Sequence, residues 1–271
     1  MATGASTSIS SSSTRVVGGL PAERTAVVTG AASPRGIGRV LAERLAADGW
    51  AVAILDLDGD ACRAVAEDIA GRHGGQVLGV AADVSDPYAV DQAVRQLESA
   101  LPPVTGLANL AGISSPTPFL EVSPEEWDLV FAVNMRGTFL VTQRLLPGMI
   151  ERRFGRIVSI SSVSAQRGGG TYSKVAYSAS KAAVIGFTRA LAREVGKFGI
   201  TVNCVAPGPV DTDIMGGPLD DERKAQMSAA GLVGRVGTPL EVAALMAYLL
   251  GEHAGYITAA TYDINGGLQI S

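Results

Sequence analysis

Thr25-Ala26-Val27-Val28-Thr29 runs directly into Gly30-Ala31-Ala32-Ser33-Pro34-Arg35-Gly36-Ile37-Gly38, and Val40, Leu41, Leu45 and Ala46 follow. The first five residues read as a short apolar strand, and the last four recur at the spacing of one helix face. Between them lies a glycine-rich turn. Glycines let a backbone turn tightly and approach a ligand closely, while a helix N-terminus supplies N–H donors and positive potential. An ordinary strand-to-helix loop is the plain alternative. The placement, after the first strand and at the opening of the first helix, favours a dinucleotide-binding turn.

Outward from this unit the pattern repeats. A second strand, Ala51-Val52-Ala53-Ile54-Leu55, ends on Asp56. An acid about twenty residues past the turn is placed to bond adenosine ribose hydroxyls. Strand patterns recur at Gln76 to Ala81, Gly106 to Leu110, Arg156 to Ile160, Ile200 to Val205 and Thr261 to Ile264, with helical patterns between them. Strand–helix alternation with apolar strands predicts an α/β fold: a Rossmann-type, doubly wound parallel sheet of about seven strands. Composition does not break between residues 24 and 271, so one domain is expected.

The 271 residues suffice for one large core, and a net charge of −4 offers no attraction to nucleic acid or an anionic membrane. Cys62 and Cys204 lie far apart, and His73 and His253 are isolated, so neither a disulfide framework nor a metal site is expected. Residues 1–23 are rich in Ser, Thr and Gly and lack periodicity. They read as a disordered leader without a secretory signal, and no apolar run reaches membrane-spanning length. A cytoplasmic location is expected.

Tyr177-Ser178-Ala179-Ser180-Lys181 opens an apolar run with helical spacing. Residues i and i+4 share a helix face, so the phenol and the ammonium project together. A phenol titrates near pH 10, too high for proton transfer at neutrality, and a neighbouring cation pulls that value down.

Several motifs now stand in order, and together they resemble the short-chain dehydrogenase/reductase family in its single-domain, standard-length form. They are Thr29-Gly30 through Gly36-Ile37-Gly38, Asp83-Val84, Asn109-Leu110-Ala111-Gly112, Asn134 in Val133-Asn134-Met135-Arg136-Gly137, Ser162 in Ile160-Ser161-Ser162-Val163, Tyr177 with Lys181, and Pro207-Gly208-Pro209-Val210-Asp211-Thr212. The resemblance covers nearly all of the chain after the leader. It implies hydride transfer between an alcohol or ketone and a nicotinamide cofactor, with Tyr177 as acid/base. Lys181 would aid Tyr177 and hold the nicotinamide ribose, Ser162 the substrate oxygen, and Asn134 a water leading from Lys181. It further implies cofactor contacts from Gly30, Ser33, Arg35, Gly36, Ile37, Gly38, Asp56 and Leu57. Others would come from Asp83, Val84, Asn109, Ala111 and Gly112, and from Pro207, Gly208, Val210 and Thr212. Ser161 competes with Ser162, since adjacent strand-end residues point oppositely.

Four features depart from the family pattern. Two residues are inserted in the first turn, Leu110 replaces an Asn, Asn265 replaces an acid, and Arg167-Gly168-Gly169-Gly170 lengthens the loop before Tyr177. Asp56 favours NAD and repels the 2′-phosphate of NADP, while Arg35 argues the other way. A lid is expected at about 213–231, hinged at Met215-Gly216-Gly217-Pro218, with a short helix from Asp220 to Met227. The pocket segments Ser114 to Phe119 and Ser164 to Tyr172 are polar, so a small polar secondary alcohol or its ketone is the expected substrate. Arg167 offers a guanidinium to a substrate anion, against the alternative of a solvated loop residue. A homotetramer is implied by the resemblance. Apolar Val130, Phe131, Phe139, Leu140, Ile185, Leu191 and Ala192 offer it surface. The competing readings are a catalytically silent nucleotide-binding scaffold and an epimerase or dehydratase of the same fold.

Overall fold

A computed structural model of the chain describes residues 19–170 and 172–270. The strands are β1 (Thr25–Thr29), β2 (Ala51–Asp56), β3 (Val77–Ala81), β4 (Val104–Asn109), β5 (Gly155–Ile160), β6 (Ile200–Pro207) and β7 (Thr261–Ile264). They form one sheet in the order β3-β2-β1-β4-β5-β6-β7, with every neighbouring pair parallel. The expected α/β sheet of seven strands is therefore present.

Nine α-helices occur among the described residues. They are α1 (Ile37–Ala47), α2 (Gly59–His73), α3 (Pro87–Ala100), α4 (Pro124–Phe131), α5 (Gly137–Arg152), α6 (Ser164–Arg167), α7 (Val175–Val195), α8 (Asp221–Ser228) and α9 (Pro239–Leu250). Residues alternate faces along a strand, and the two cores follow that alternation. Val28 and Ile54 pack with Leu41, Ile69 and Met246 from α1, α2 and α9. Val27 and Leu55 pack with Leu97, Met149 and Val195 from α3, α5 and α7. A parallel sheet covered on both faces needs strands that are apolar throughout, and β1 and β6 are buried along their whole length.

Strand order reverses between β1 and β4, so their C-terminal ends open a crevice, the usual ligand position in such sheets. Two sequence-derived boundaries shift there. β4 starts at Val104 rather than Gly106, because the Thr25 N–H bonds the Pro103 carbonyl at 3.0 Å and draws the preceding residues into register. β4 also stops at Asn109, one residue before Leu110, because the N–H groups of Leu110 and Ala111 both donate to Thr29 Oγ1 at 3.0 Å.

The expected disorder of residues 1–18 lies outside the described residues. Of the rest of that segment, Leu20 packs against the α1/α9 core, and the Arg24 guanidinium stacks 5.0 Å from the Trp50 ring centroid. Cys62 and Cys204 are both buried and unbridged. Among the described residues no helix is long and apolar enough to cross a membrane.

Candidate active site

A cleft of about 650 Å³ opens along the C-terminal ends of the strands. At one end the glycine turn contributes Gly30, Ser33, Gly36, Ile37 and Gly38. Gly36 caps α1 without any side-chain hydrogen bond, so the N–H groups of the first turn have no capping partner there. A Cβ at Gly38 would stand 2.5 Å from the Gly30 carbonyl oxygen, which only glycine avoids. The turn thus offers backbone donors at a helix start, suited to a diphosphate.

Beside it, Asp56 closes the end of β2. Its carboxylate accepts from Ala32 N at 3.0 Å and Leu57 N at 2.8 Å, which fixes it at the cleft rim. The buried Cys62 thiol is pushed up to about 11, first by burial and next by the Asp56 charge. Leu57 and Asp83 also line the cleft, as does Val84. Asp83 Oδ1 accepts from Ser85 N at 2.8 Å, a local turn that holds the loop after β3. These are the residues expected to meet an adenosine ribose and adenine, and they lie together at this end of the cleft.

At the other end stands the candidate proton-transfer group. Tyr177 and Lys181 lie one turn apart on α7, with Lys181 Nζ 5.7 Å from the Tyr177 ring centroid. The Tyr177 phenol shares a hydrogen bond with the Ser162 hydroxyl, whose oxygen also accepts from Ser164 N at 3.1 Å. Ser161 points elsewhere, donating to the Lys181 carbonyl at 2.8 Å. Of the two serines, Ser162 is the one that meets the phenol. Burial pushes the phenol above its ordinary value, and the Ser162 hydrogen bond opposes that push. Tyr177 stays half-buried in the cleft wall, so water moderates the effect. The sequence suggested a net lowering by Lys181; burial instead sets the direction, and the opposing contribution comes from Ser162. Lys181 is 2% exposed, and burial pushes its ammonium down to about 8. It donates to the Ile160 carbonyl at 3.2 Å.

Asn134 sits in a π-helical turn, Ala132–Arg136, joining α4 to α5. Such a widened turn often marks a functional site. Asn134 does not line the cleft surface. It accepts from Ile113 N at 2.8 Å, donates to Ile113 O at 3.0 Å, and donates to Ser180 Oγ at 2.9 Å. Ser180 in turn donates to the Tyr177 carbonyl at 2.8 Å. Asn134 therefore ties the loop after β4 to the helix carrying Tyr177. Asn109 is also turned from the cleft, donating instead to Thr142 Oγ1 at 3.0 Å and Ser159 Oγ at 3.3 Å.

Ala111 and Gly112 line the wall between the two ends, and Pro207, Gly208, Val210 and Thr212 line the opposite side. Arg35, expected beside the ribose, is absent from the lining. It pairs with Asp211 and Asp213 of the segment after β6. The short helix expected within the proposed lid segment forms as Asp221–Ser228 with Asp220 as its N-cap, one residue later than the sequence indicated. The lid also brings apolar Ile214, Met215 and Met227 to the cleft, and Leu268 joins them, so the substrate end is mixed rather than wholly polar. Arg167 and Tyr172 are on its rim.

The model for enoyl-(acyl carrier protein) reductases matches residues 30–269. An uncharacterized short-chain type dehydrogenase/reductase of Sinorhizobium fredii is 41% identical over 91% of this chain and 98% of its own length. This chain belongs to the short-chain dehydrogenase/reductase family. A 3-oxoacyl-[acyl-carrier-protein] reductase of Aquifex aeolicus is 40% identical, covering 90% of this chain and 97% of its own. Among solved structures, a blue fluorescent protein from a metagenomic library, in complex with NADPH, superposes with a TM-score of 0.83. It is 35% identical and covers 91% of this chain and 98% of its own. As a member of this family the chain is an oxidoreductase of nucleotide-cofactor type, and the silent-scaffold reading finds no support among these relatives.

Thr29 and Ser180 are two site residues whose roles sequence reading did not isolate. Thr29 was visible only as the residue before Gly30. Ser180 lay inside the Tyr177–Lys181 motif, where nothing marked a hydroxyl at the third position as a bridge to Asn134.

Proposed function

We propose that this protein interconverts a small polar secondary alcohol and its ketone with NAD(H), using Tyr177 as the acid/base. The observation that carries this reading is the convergence of the Tyr177 phenol, the Ser162 hydroxyl and the Lys181 ammonium in one cleft with the glycine turn and Asp56. Gly36 to Gly38 would hold the cofactor diphosphate, Asp56 the adenosine ribose, and Lys181 the nicotinamide ribose. A bound nicotinamide would supply or accept the hydride, and its oxidised form would add a positive charge to the site.

Ser162 would hold the substrate oxygen while Tyr177 takes its proton during oxidation, or returns one during reduction. Lys181, enclosed and cationic at neutral pH, stabilises the phenolate that forms; the same burial that raises the phenol's pKa makes that charge–charge attraction strong. Asn134 and Ser180 keep α7 fixed against the loop after β4, so the acid/base does not drift from the reacting oxygen. The family resemblance further supports a homotetramer, and the one-domain chain from residue 24 fits a cytoplasmic enzyme.

The test is a panel of polyols, hydroxy acids and bulky apolar alcohols with NAD, and of their ketones with NADH. Turnover of the small polar compounds is expected. Faster oxidation of bulky apolar alcohols would overturn the substrate reading, and cofactor binding without turnover of any member would overturn the reaction.

A further inference from the structure

The insertion in the glycine turn has a consequence for the lid. Pro34-Arg35 brings the turn against the segment after β6. There the Arg35 guanidinium pairs with the Asp211 carboxylate, and its Nε stands 3.5 Å from Asp213 Oδ1. The Arg35 backbone N–H donates to Asp213 Oδ2 at 3.2 Å, and the Ser33 hydroxyl donates to the same oxygen at 2.8 Å. Lys224 of α8 reaches Asp211 Oδ2 at 2.9 Å, and Leu219 N donates to Asp211 Oδ1 at 3.2 Å. Lys224, Leu219 and Arg35 together hold the Asp211 carboxyl below its usual range, with Lys224 the largest cause. Two carboxylates thus gather donors from the cofactor turn, the lid strap and the lid helix.

Two features give this cluster a role. The acids flank Thr212, which is buried and lines the cleft, so fixing them fixes Thr212. The cluster also balances two anions with two cations. Uncompensated, Asp213 would set a negative charge against the donor end of the turn, where a diphosphate must enter, and like charges there are costly.

We propose that Arg35 is a positioning residue that latches the lid to the cofactor turn, and is not a ligand for a cofactor 2′-phosphate. Its side chain is committed to Asp211 and Asp213, on the lid side of the turn. The inference rests on the dinucleotide reading of the cleft only where cofactor binding is measured.

Hydrogen–deuterium exchange on the cofactor-free protein tests the latch by itself. Arg35→Gln should speed exchange over residues 212–228 about fivefold, the size expected for a partly exposed ion pair. Arg35→Lys should restore part of the protection, and Asp213→Asn should loosen the same segment. The double variant should be looser than either single variant but by less than the combined effect of the two, because they share the Arg35–Asp213 contact while Arg35 also pairs with Asp211 and Asp213 also accepts from Ser33. Raising the salt concentration should loosen the wild-type lid more than it loosens Arg35→Gln, in which the Lys224–Asp211 pair remains. Fluorescence titration then separates the alternatives: Arg35→Gln should weaken NADH and NADPH by the same factor. Unchanged exchange in Arg35→Gln with a circular dichroism spectrum matching wild type would overturn the latch. So would a loss confined to NADPH, the signature of a phosphate ligand.

Discussion

Lys181 Nζ stands 5.7 Å from the centroid of the Tyr177 ring, and the Tyr177 phenol bonds the Ser162 hydroxyl. In the proposed mechanism the three groups divide the work: Lys181 would supply charge, Ser162 would hold the phenol and the substrate oxygen, and Tyr177 would carry the proton. Tyr177→Phe removes only the hydroxyl and should lower kcat by about a thousandfold or more while leaving NADH affinity near wild type. Retention of a tenth of the activity would disprove the assignment.

Ser162→Ala should change the pH profile as well as the rate. The Ser162 hydrogen bond lowers the phenol's pKa, so its loss must move that pKa upward. The alkaline rise of kcat/KM for alcohol oxidation should therefore shift to higher pH. A profile that kept its midpoint would show that the bond does not act on the ionising group.

Lys181 is held at a cost to stability. Burial pushes its pKa from 10.5 down to about 8, so folding works against the charged form. Below pH 8 the penalty is fully present. Between about 8 and 10.5 the unfolded chain binds more protons than the folded one, so wild-type stability rises with pH across that window. Lys181→Met should stabilise the protein by on the order of 2 kcal/mol at pH 7 and by progressively less toward pH 10. Urea unfolding at pH 7 and pH 9.5 measures both; an unchanged or larger gain at pH 9.5 contradicts the desolvation account.

Much of this architecture was legible in the chain. The apolar β-branched runs and the turn Gly30 to Gly38 announce strands and their order in sequence, because a doubly covered parallel sheet needs such strands. Tyr177 and Lys181 announce themselves by helical spacing. What stayed hidden depends on contacts between distant segments. Arg35 could not be placed without knowing that Asp211 and Asp213 lie beside it, nearly the whole fold away in sequence. Asn109 reads as a cleft residue from its motif, yet its side chain turns to Thr142 and Ser159, leaving Ala111 and Gly112 at the surface. Val130 and Ala192 were expected among apolar residues left for a partner, and both pack inside the chain.

Gly112 tests how tightly the proton-transfer groups are packed. A Cβ there would lie 3.1 Å from Asn134 Oδ1 and 3.2 Å from Lys181 Nζ. Gly112→Ala must push one of them aside, and the lysine tip yields more easily than the thrice-bonded Asn134. A fall in kcat of about ten- to a hundredfold is expected, since small misplacements of catalytic groups cost that much. Wild-type kcat would mean that Lys181 does not need its present position.

The proposed tetramer is testable, and Leu129 on α4 and Phe139 on α5 remain 54% and 40% exposed. Light scattering at micromolar concentration should give the mass of four chains. A monomeric mass refutes the tetramer.

Cofactor choice turns on Asp56 and Arg35 together. Asp56 is fixed at the end of β2 by Ala32 N and Leu57 N, at the site proposed for the adenosine ribose. There it can accept from 2′- and 3′-hydroxyls, and it repels a 2′-phosphate by at most roughly 4 kcal/mol at ~4 Å in a medium of effective dielectric about 20, less with solvent access. The cation that would offset this repulsion, Arg35, is held by Asp211 and Asp213. Leu57, the next residue, carries no charge. The carboxylate therefore decides, and kcat/KM should favour NAD over NADP. The blue fluorescent protein of similar fold binds NADPH, which makes the comparison informative. Asp56→Asn should narrow the preference by relieving repulsion while keeping an acceptor for the ribose. A wild-type ratio favouring NADP, or an Asp56→Asn variant with an unchanged ratio, would remove Asp56 from cofactor selection.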